Sequence, residues 1–132
     1  MHKILSKNIF ISAFFALIFL LPIFIFGPGG ADLLTASLMA KNFSTEFWQG
    51  NFYPRWLPEF YAGHGSPAFF YYPPLFFWLV ALITPIFSEQ SFFFWPLIGA
   101  AWLFLWLSGI TCFYWLKSEG VSNSAANIGA LL

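Results

Sequence analysis

Charge is what this sequence has least of. Five residues are Lys or Arg and five are Asp or Glu, 8% of the chain with no net charge, where a soluble domain carries about 25%. That leaves too few charges to solvate the outside of a globule, and no basic patch to bind nucleic acid. Cysteine is almost absent too. Cys112 alone excludes an internal disulfide and leaves the redox compartment unread; inside an apolar run it reads as a small packed hydrophobe. Histidine occurs only as His2 and His64, which excludes a three-histidine zinc site. There is no Ser/His/Asp order, no CxxC, no Walker-type loop and no HExxH. Gly27-Pro28-Gly29-Gly30 is glycine-rich but follows an apolar run and not a strand, which makes it a weak phosphate loop.

What the sequence does have is apolar mass: 60% hydrophobic and 24% aromatic residues. It comes in long unbroken runs, which argues for an all-α, membrane-embedded chain. The first run, 9–26, is broken only by Ser12 and Pro22 and is close to the roughly 20 residues that span a bilayer. Lys3 and Lys7 precede it, placing the N-terminus in the cytoplasm. A signal peptide is the competing reading, but its apolar region is usually about 7–15 residues with an A-x-A-like site after it. A second span is expected over 69–87, entered by Pro73-Pro74, and a third over 92–116 after the turn Ser88-Glu89-Gln90-Ser91. Residues 124–132 begin a further helix too short to cross, so the chain reads as a fragment of a larger multi-pass protein.

Between the first two spans lies an external loop, 27–68. Ala36, Met39, Ala40, Phe43 and Phe47 recur at helical spacing, while Ser37, Lys41, Asn42, Thr45, Glu46 and Gln49 fall largely elsewhere. This predicts an amphipathic helix at the interface or against the bundle, with Asp32 as its N-cap and Gly50 ending it. The rest of the loop is irregular, because its prolines and glycines forbid a long helix or a central strand. Its Trp and Tyr suit the headgroup layer. Arg55, between Pro54 and Trp56, has a donor fork that fits a phosphate, or it is an anchor snorkelling to headgroups. His64 is a weak binding candidate and otherwise a turn residue held by flanking glycines. Glu59 is near enough to meet it in the loop, but two ligands make a poor metal site.

Gly50-Asn51-Phe52-Tyr53-Pro54-Arg55-Trp56-Leu57-Pro58, Gly63-His64-Gly65-Ser66-Pro67 and Phe70-Tyr71-Tyr72-Pro73-Pro74-Leu75 together resemble a known group. It is the bacterial multi-pass proteins of the pyruvoyl-tetrahydropterin-synthase-related membrane domain family, similar to the type C glycosyltransferases. The resemblance covers nearly the whole chain, but only the N-terminal part of such a protein. It implies a bacterial inner (plasma) membrane location and a polyprenyl-phosphate sugar as donor, transferred on the external face. It implies Asp32 as the catalytic acid, acting as general base or holding a divalent metal, and a lipid-phosphate leaving group for Arg55. This chain departs from the pattern at Ala36, where relatives often carry a histidine. Alternatives of other classes are a non-catalytic multi-pass protein of transport or envelope assembly, and a stand-alone structural membrane segment. The bilayer is the common partner of all three.

Overall fold

The computed structural model describes residues 2–26, 31–87 and 94–130, with side chains from Ile11 onward except that of Ala31. The Gly27–Gly30 breaker, the Ser88–Ser91 turn, the start of the expected third span and the last two residues lie outside the described residues. The chain is all-helical, and among the described residues the only β pairing is an isolated antiparallel bridge between Leu57 and Ser66. It divides into two compact units, one formed by residues 1–27 and 101–132 and the other by 28–100.

The first unit holds α1 (His2–Phe26), most of α5 (Phe94–Ser118) and α6 (Asn123–Gly129). The Trp102 indole N–H donates to the carbonyl of Ala13 at 3.1 Å, tying α5 to α1. Close approach is allowed by small residues: a β-carbon on Gly109 would lie 3.0 Å from the Ala130 carbonyl and 3.4 Å from Ser12 Cβ. Helices packed without large side chains meet in this way. α5 ends on a Schellman motif, with Gly120 at φ +79°. The N–H of Val121 donates to Leu116 and that of Gly120 to Lys117. Ser122 caps α6, its hydroxyl accepting from the N–H of Ala125 at 3.4 Å.

The second unit is built on α2 (Ala31–Trp48) packed against α4 (Leu75–Ile83). The expected apolar face of α2 is the one buried. Met39 and Phe43 join Leu57, Phe60, Phe69 and Ala81 in one cluster, with Phe47 against it, while Ala40 packs with Val80, Leu97 and Ala100, and Ala36 lies beside them. The Phe43 ring meets Phe69 edge-on at 4.8 Å, and Phe69 meets Phe77 likewise at 4.8 Å. Two indoles stitch the loop and α2 to α4: Trp48 donates to the Ala81 carbonyl (2.9 Å) and Trp78 to that of Phe52 (2.6 Å). Gly50 ends α2 at φ +99°, with Asn51 N–H donating to Glu46 and Gly50 N–H to Phe47. This is the same C-terminal motif that ends α5.

Two expectations need correction. Ser37 and Asn42 are buried instead of lying on a wet face of α2. Each sends a donor back to its own helix, Ser37 Oγ to Leu34 O and Asn42 Nδ2 to Leu38 O. The stretch 69–87 is also not one helix. A four-residue α3 (Ala68–Tyr71) stops at extended Tyr72, Pro73-Pro74 interrupt, and nine-residue α4 passes into a three-residue 3-10 turn, Thr84–Ile86. From Leu75 to Ile86 the rise is about 20 Å, short of the roughly 30 Å hydrocarbon core of a bilayer. Among the described residues one helix, α5, is long and apolar enough to cross a membrane, with a mean hydropathy of 1.7 over its best window.

Candidate functional site

The chemistry-bearing residues of the loop unit fall at three places. α2 begins at Ala31, so Asp32 stands inside its first turn and not at the expected N-cap position, and is solvent-exposed. A carboxylate there still complements the helix macrodipole. Helical spacing puts Thr35 on the same face one turn on, and Thr35 lines a cleft.

That cleft is the second place. It encloses about 400 Å³ between α2 and the loop, walled by Thr35, Leu38 and Asn42 on one side and Glu59 to Ala62 on the other. Hairpin-like closure of the loop positions its far wall. Leu57 N–H donates to Ser66 O (2.9 Å) and Ser66 N–H returns to Leu57 O (3.0 Å), while Gly65 N–H donates to Phe60 O (2.8 Å). Inside this closure the backbone must turn sharply, and Tyr61 and Ala62 do so at φ +50° and +56°. Neither is glycine, and each left-handed residue of this kind costs about 1–3 kcal/mol, a strain that concentrates at functional sites. Phe60 is the buried floor, and the Tyr61 ring meets it edge-on at 4.8 Å while staying open to solvent. Asn42 is only 5% exposed. Its Nδ2 is committed to Leu38 at 3.0 Å, and its Oδ1 is buried with no hydrogen-bond partner among the described residues. An orphaned buried acceptor costs about 1–3 kcal/mol.

Arg55 is the third place. Its guanidinium carbon lies 5.0 Å from the centre of the Tyr53 ring and 5.6 Å from that of Phe70, a cation–π cradle that leaves the side chain exposed. Phe52, Trp56, Tyr71 and Tyr72 are exposed in the same loop unit. His64 is exposed as well. Its N–H donates to Tyr61 O at 3.2 Å, and it sits between Gly63 and Gly65 at φ +88° and +81°, a turn position. The metal that the family resemblance raised does not fit these residues. Among the described residues no three His, Cys, Asp or Glu side chains converge, and Ala36 offers no ligand one turn after Asp32.

Sequence reasoning named Asp32, Arg55 and His64 but missed Asn42 and the cleft wall. The one available signal was an amide flanked by the buried-face residues Met39, Ala40 and Phe43 of the same helix. No protein-family model matches the chain, and neither the curated proteins nor the solved structures include a significant match to it.

Proposed function

We propose that this chain is the membrane-embedded N-terminal segment of a type C-like glycosyltransferase, with its loop unit on the external face of a bacterial inner membrane. The observation that carries the proposal is Asp32: an exposed carboxylate one helical turn from a cleft large enough for a small ligand. In this reading Asp32 is the general base that takes a proton from an acceptor hydroxyl. Arg55, presented over two rings, takes the phosphate of a polyprenyl-phosphate sugar. The exposed aromatics of the loop rest in the headgroup layer. Membrane seating is further supported by α1, which exposes the large apolar side chains of Phe14, Leu17, Phe19, Phe24, Ile25 and Phe26, as a lipid-facing helix does.

The test is Asp32→Asn in the complete reading frame, assayed for sugar transfer from a polyprenyl-phosphate donor. Losing only a favourable charge at a helix start costs about 0.3–1 kcal/mol, which leaves turnover intact. Losing a general base lowers the rate by about 10²–10⁴-fold. Near-normal transfer by the variant removes the catalytic role.

A further inference from the structure

We infer that α4 lies flat in one leaflet of the membrane, with the stripe Leu75, Leu79, Leu82 and Ile86 against lipid acyl chains and α2 packed on its other side, toward water. The four positions recur at spacings of four, three and four, so they share one face of the Leu75–Ile86 segment. Leu75, Leu82 and Ile86 are 61%, 56% and 80% exposed, and Leu79 is half-buried. The opposite face is already covered. Val80 and Ala81 are fully buried, packed in one cluster with Ala40 and in the other with Met39 and Phe43 of α2. A helix that is apolar on both sides, with one side open, is suited to lipid and not to water.

Acyl chains fit this stripe better than a protein partner does. No Asp, Glu, Lys or Arg occurs between Glu59 and Glu89. The side-chain donors of the segment are served from within: Thr84 Oγ1 donates to Val80 O at 2.7 Å and the Trp78 indole to Phe52 O at 2.6 Å, as hydrocarbon demands. The exposed residues flanking the stripe in sequence, Tyr71, Tyr72, Pro73 and Pro85, offer only two phenols, where a protein interface has a polar rim. Phenols suit the headgroup level instead. α2 then sets the orientation. Ala40 packs with Val80, close to the middle of the Leu75–Ile86 segment, and the next residue, Lys41, is exposed. If α4 crossed the bilayer, its middle would lie deep in the hydrocarbon and would carry Lys41 there, where a charged side chain is costly. Laid flat, α4 keeps its stripe in lipid while Lys41 and Thr45, on the exposed face of α2, stay in water. This inference rests on the membrane seating proposed above, though not on sugar transfer.

The experiment uses the full chain in lipid nanodiscs on a Cys112→Ser background. Leu75→Cys, Leu82→Cys, Ile86→Cys and Lys41→Cys each carry a nitroxide, and collisions with oxygen and with a water-soluble nickel chelate report immersion depth. All four positions are exposed, and the indole N–H signals of Trp48 and Trp78, which bond to Ala81 and Phe52, confirm in each variant that the unit is folded. The three α4 labels are expected to meet oxygen in preference to nickel and to lie at one shared depth, while the Lys41→Cys label meets nickel. A depth that changes by about 20 Å from Leu75 to Ile86, the rise of the segment, would mean a crossing and overturns the inference. Low collision rates with both reagents at all three positions would mean that protein covers the stripe, and overturn it as well. Leu107→Cys, on the exposed face of α5, separates the two readings. If its label meets oxygen while the α4 labels meet nickel, the chain is in the bilayer and only this inference fails. If its label meets nickel too, the membrane seating fails with it.

Discussion

Gly65→Ala tests whether the loop closure holds the cleft in shape. Gly65 has φ +81°, and a β-carbon there would sit 2.5 Å from Trp56 Cε2 and 2.6 Å from its Nε1. Gly63, two residues earlier, has φ +88° and nothing within 4 Å of the same position. Alanine at either glycine meets the left-handed penalty of about 1–2 kcal/mol. Only at Gly65 must the indole also be displaced, an overpacking cost of about 1–3 kcal/mol more. The difference between the two variants isolates the contact with Trp56. It corresponds to about 5- to 150-fold in the population of the opened loop, since 1.4 kcal/mol is about tenfold.

The assay is thiol labelling at Ser66→Cys in a Cys112→Ser background. Ser66 is 7% exposed and lies in the bridge to Leu57, so its modification rate follows loop opening when closing is fast. Gly65→Ala is expected to label faster than Gly63→Ala by that factor. Adding Trp56→Ala is expected to remove most of the excess, because the overlapping ring is gone while the backbone penalty stays. Equal rates for the two alanine variants, or no relief from Trp56→Ala, would refute the claim that the indole braces the closure.

Two other outcomes can be checked in the same unit. Phe43 is fully buried, 4.8 Å from the Phe69 ring and 6.1 Å from Phe77; Phe43→Ala is expected to destabilise the unit by about 3–5 kcal/mol, seen as Ser66→Cys labelling without protection. Trp56, as the only tryptophan left, is expected to be quenched by labels shallow in the bilayer; free access to aqueous iodide with no lipid quenching would place the loop away from the membrane surface.

What could be read in advance was whatever periodicity or backbone stereochemistry dictates. The face of α2 was legible because Ala36, Met39, Ala40, Phe43 and Phe47 share a 3.6-residue period. Its end at Gly50 was legible because a C-terminal motif needs a positive φ. The break inside 69–87 was harder. Hydropathy runs on through Phe69-Phe70-Tyr71-Tyr72, and only the missing N–H groups of Pro73 and Pro74 show that the helix cannot continue. The cleft was illegible for a different reason. Hydropathy counts Ser37, Asn42 and Ser44 as polar and assigns them to water, yet the loop carrying Leu57 and Phe60 folds back to bury Met39 and Phe43 beside them. That contact joins residues distant in sequence, and no local pattern encodes it. Of the named site residues, Arg55 and His64 stand on the loop as exposed groups, whereas the groups that line the cleft, Asn42, Glu59 and Tyr61, come together only through the fold.

The broken helix bears on topology. If 69–87 crosses the bilayer, α5 crosses back outward, and Lys117 emerges on the external side. If the Leu75–Ile86 segment stays on the loop side, α1 and α5 are the two crossings, and Lys117 returns to the side of Lys3 and Lys7. The positive-inside rule counts Lys and Arg close to the ends of spans, and it favours the second arrangement. Three of the five cations, Lys3, Lys7 and Lys117, then lie inside, while Lys41 and Arg55 stay with the loop in either arrangement. Length favours it as well, since about 20 Å of helix leaves roughly a third of the hydrocarbon core uncovered. Cysteines placed singly on a Cys112→Ser background can decide between the arrangements. His64 is exposed in the loop and Ser118 is exposed at the end of α5, so both sites are open to reagent, unlike the buried Ser44 and Ser66. With an impermeant thiol reagent on intact cells, His64→Cys is expected to label. Ser118→Cys is expected to label only after permeabilisation, as is Ser6→Cys. Labelling of Ser118→Cys from outside would mean that the polypeptide does cross between Phe69 and Phe87, and that α4 is lengthened or the bilayer locally thinned to do so.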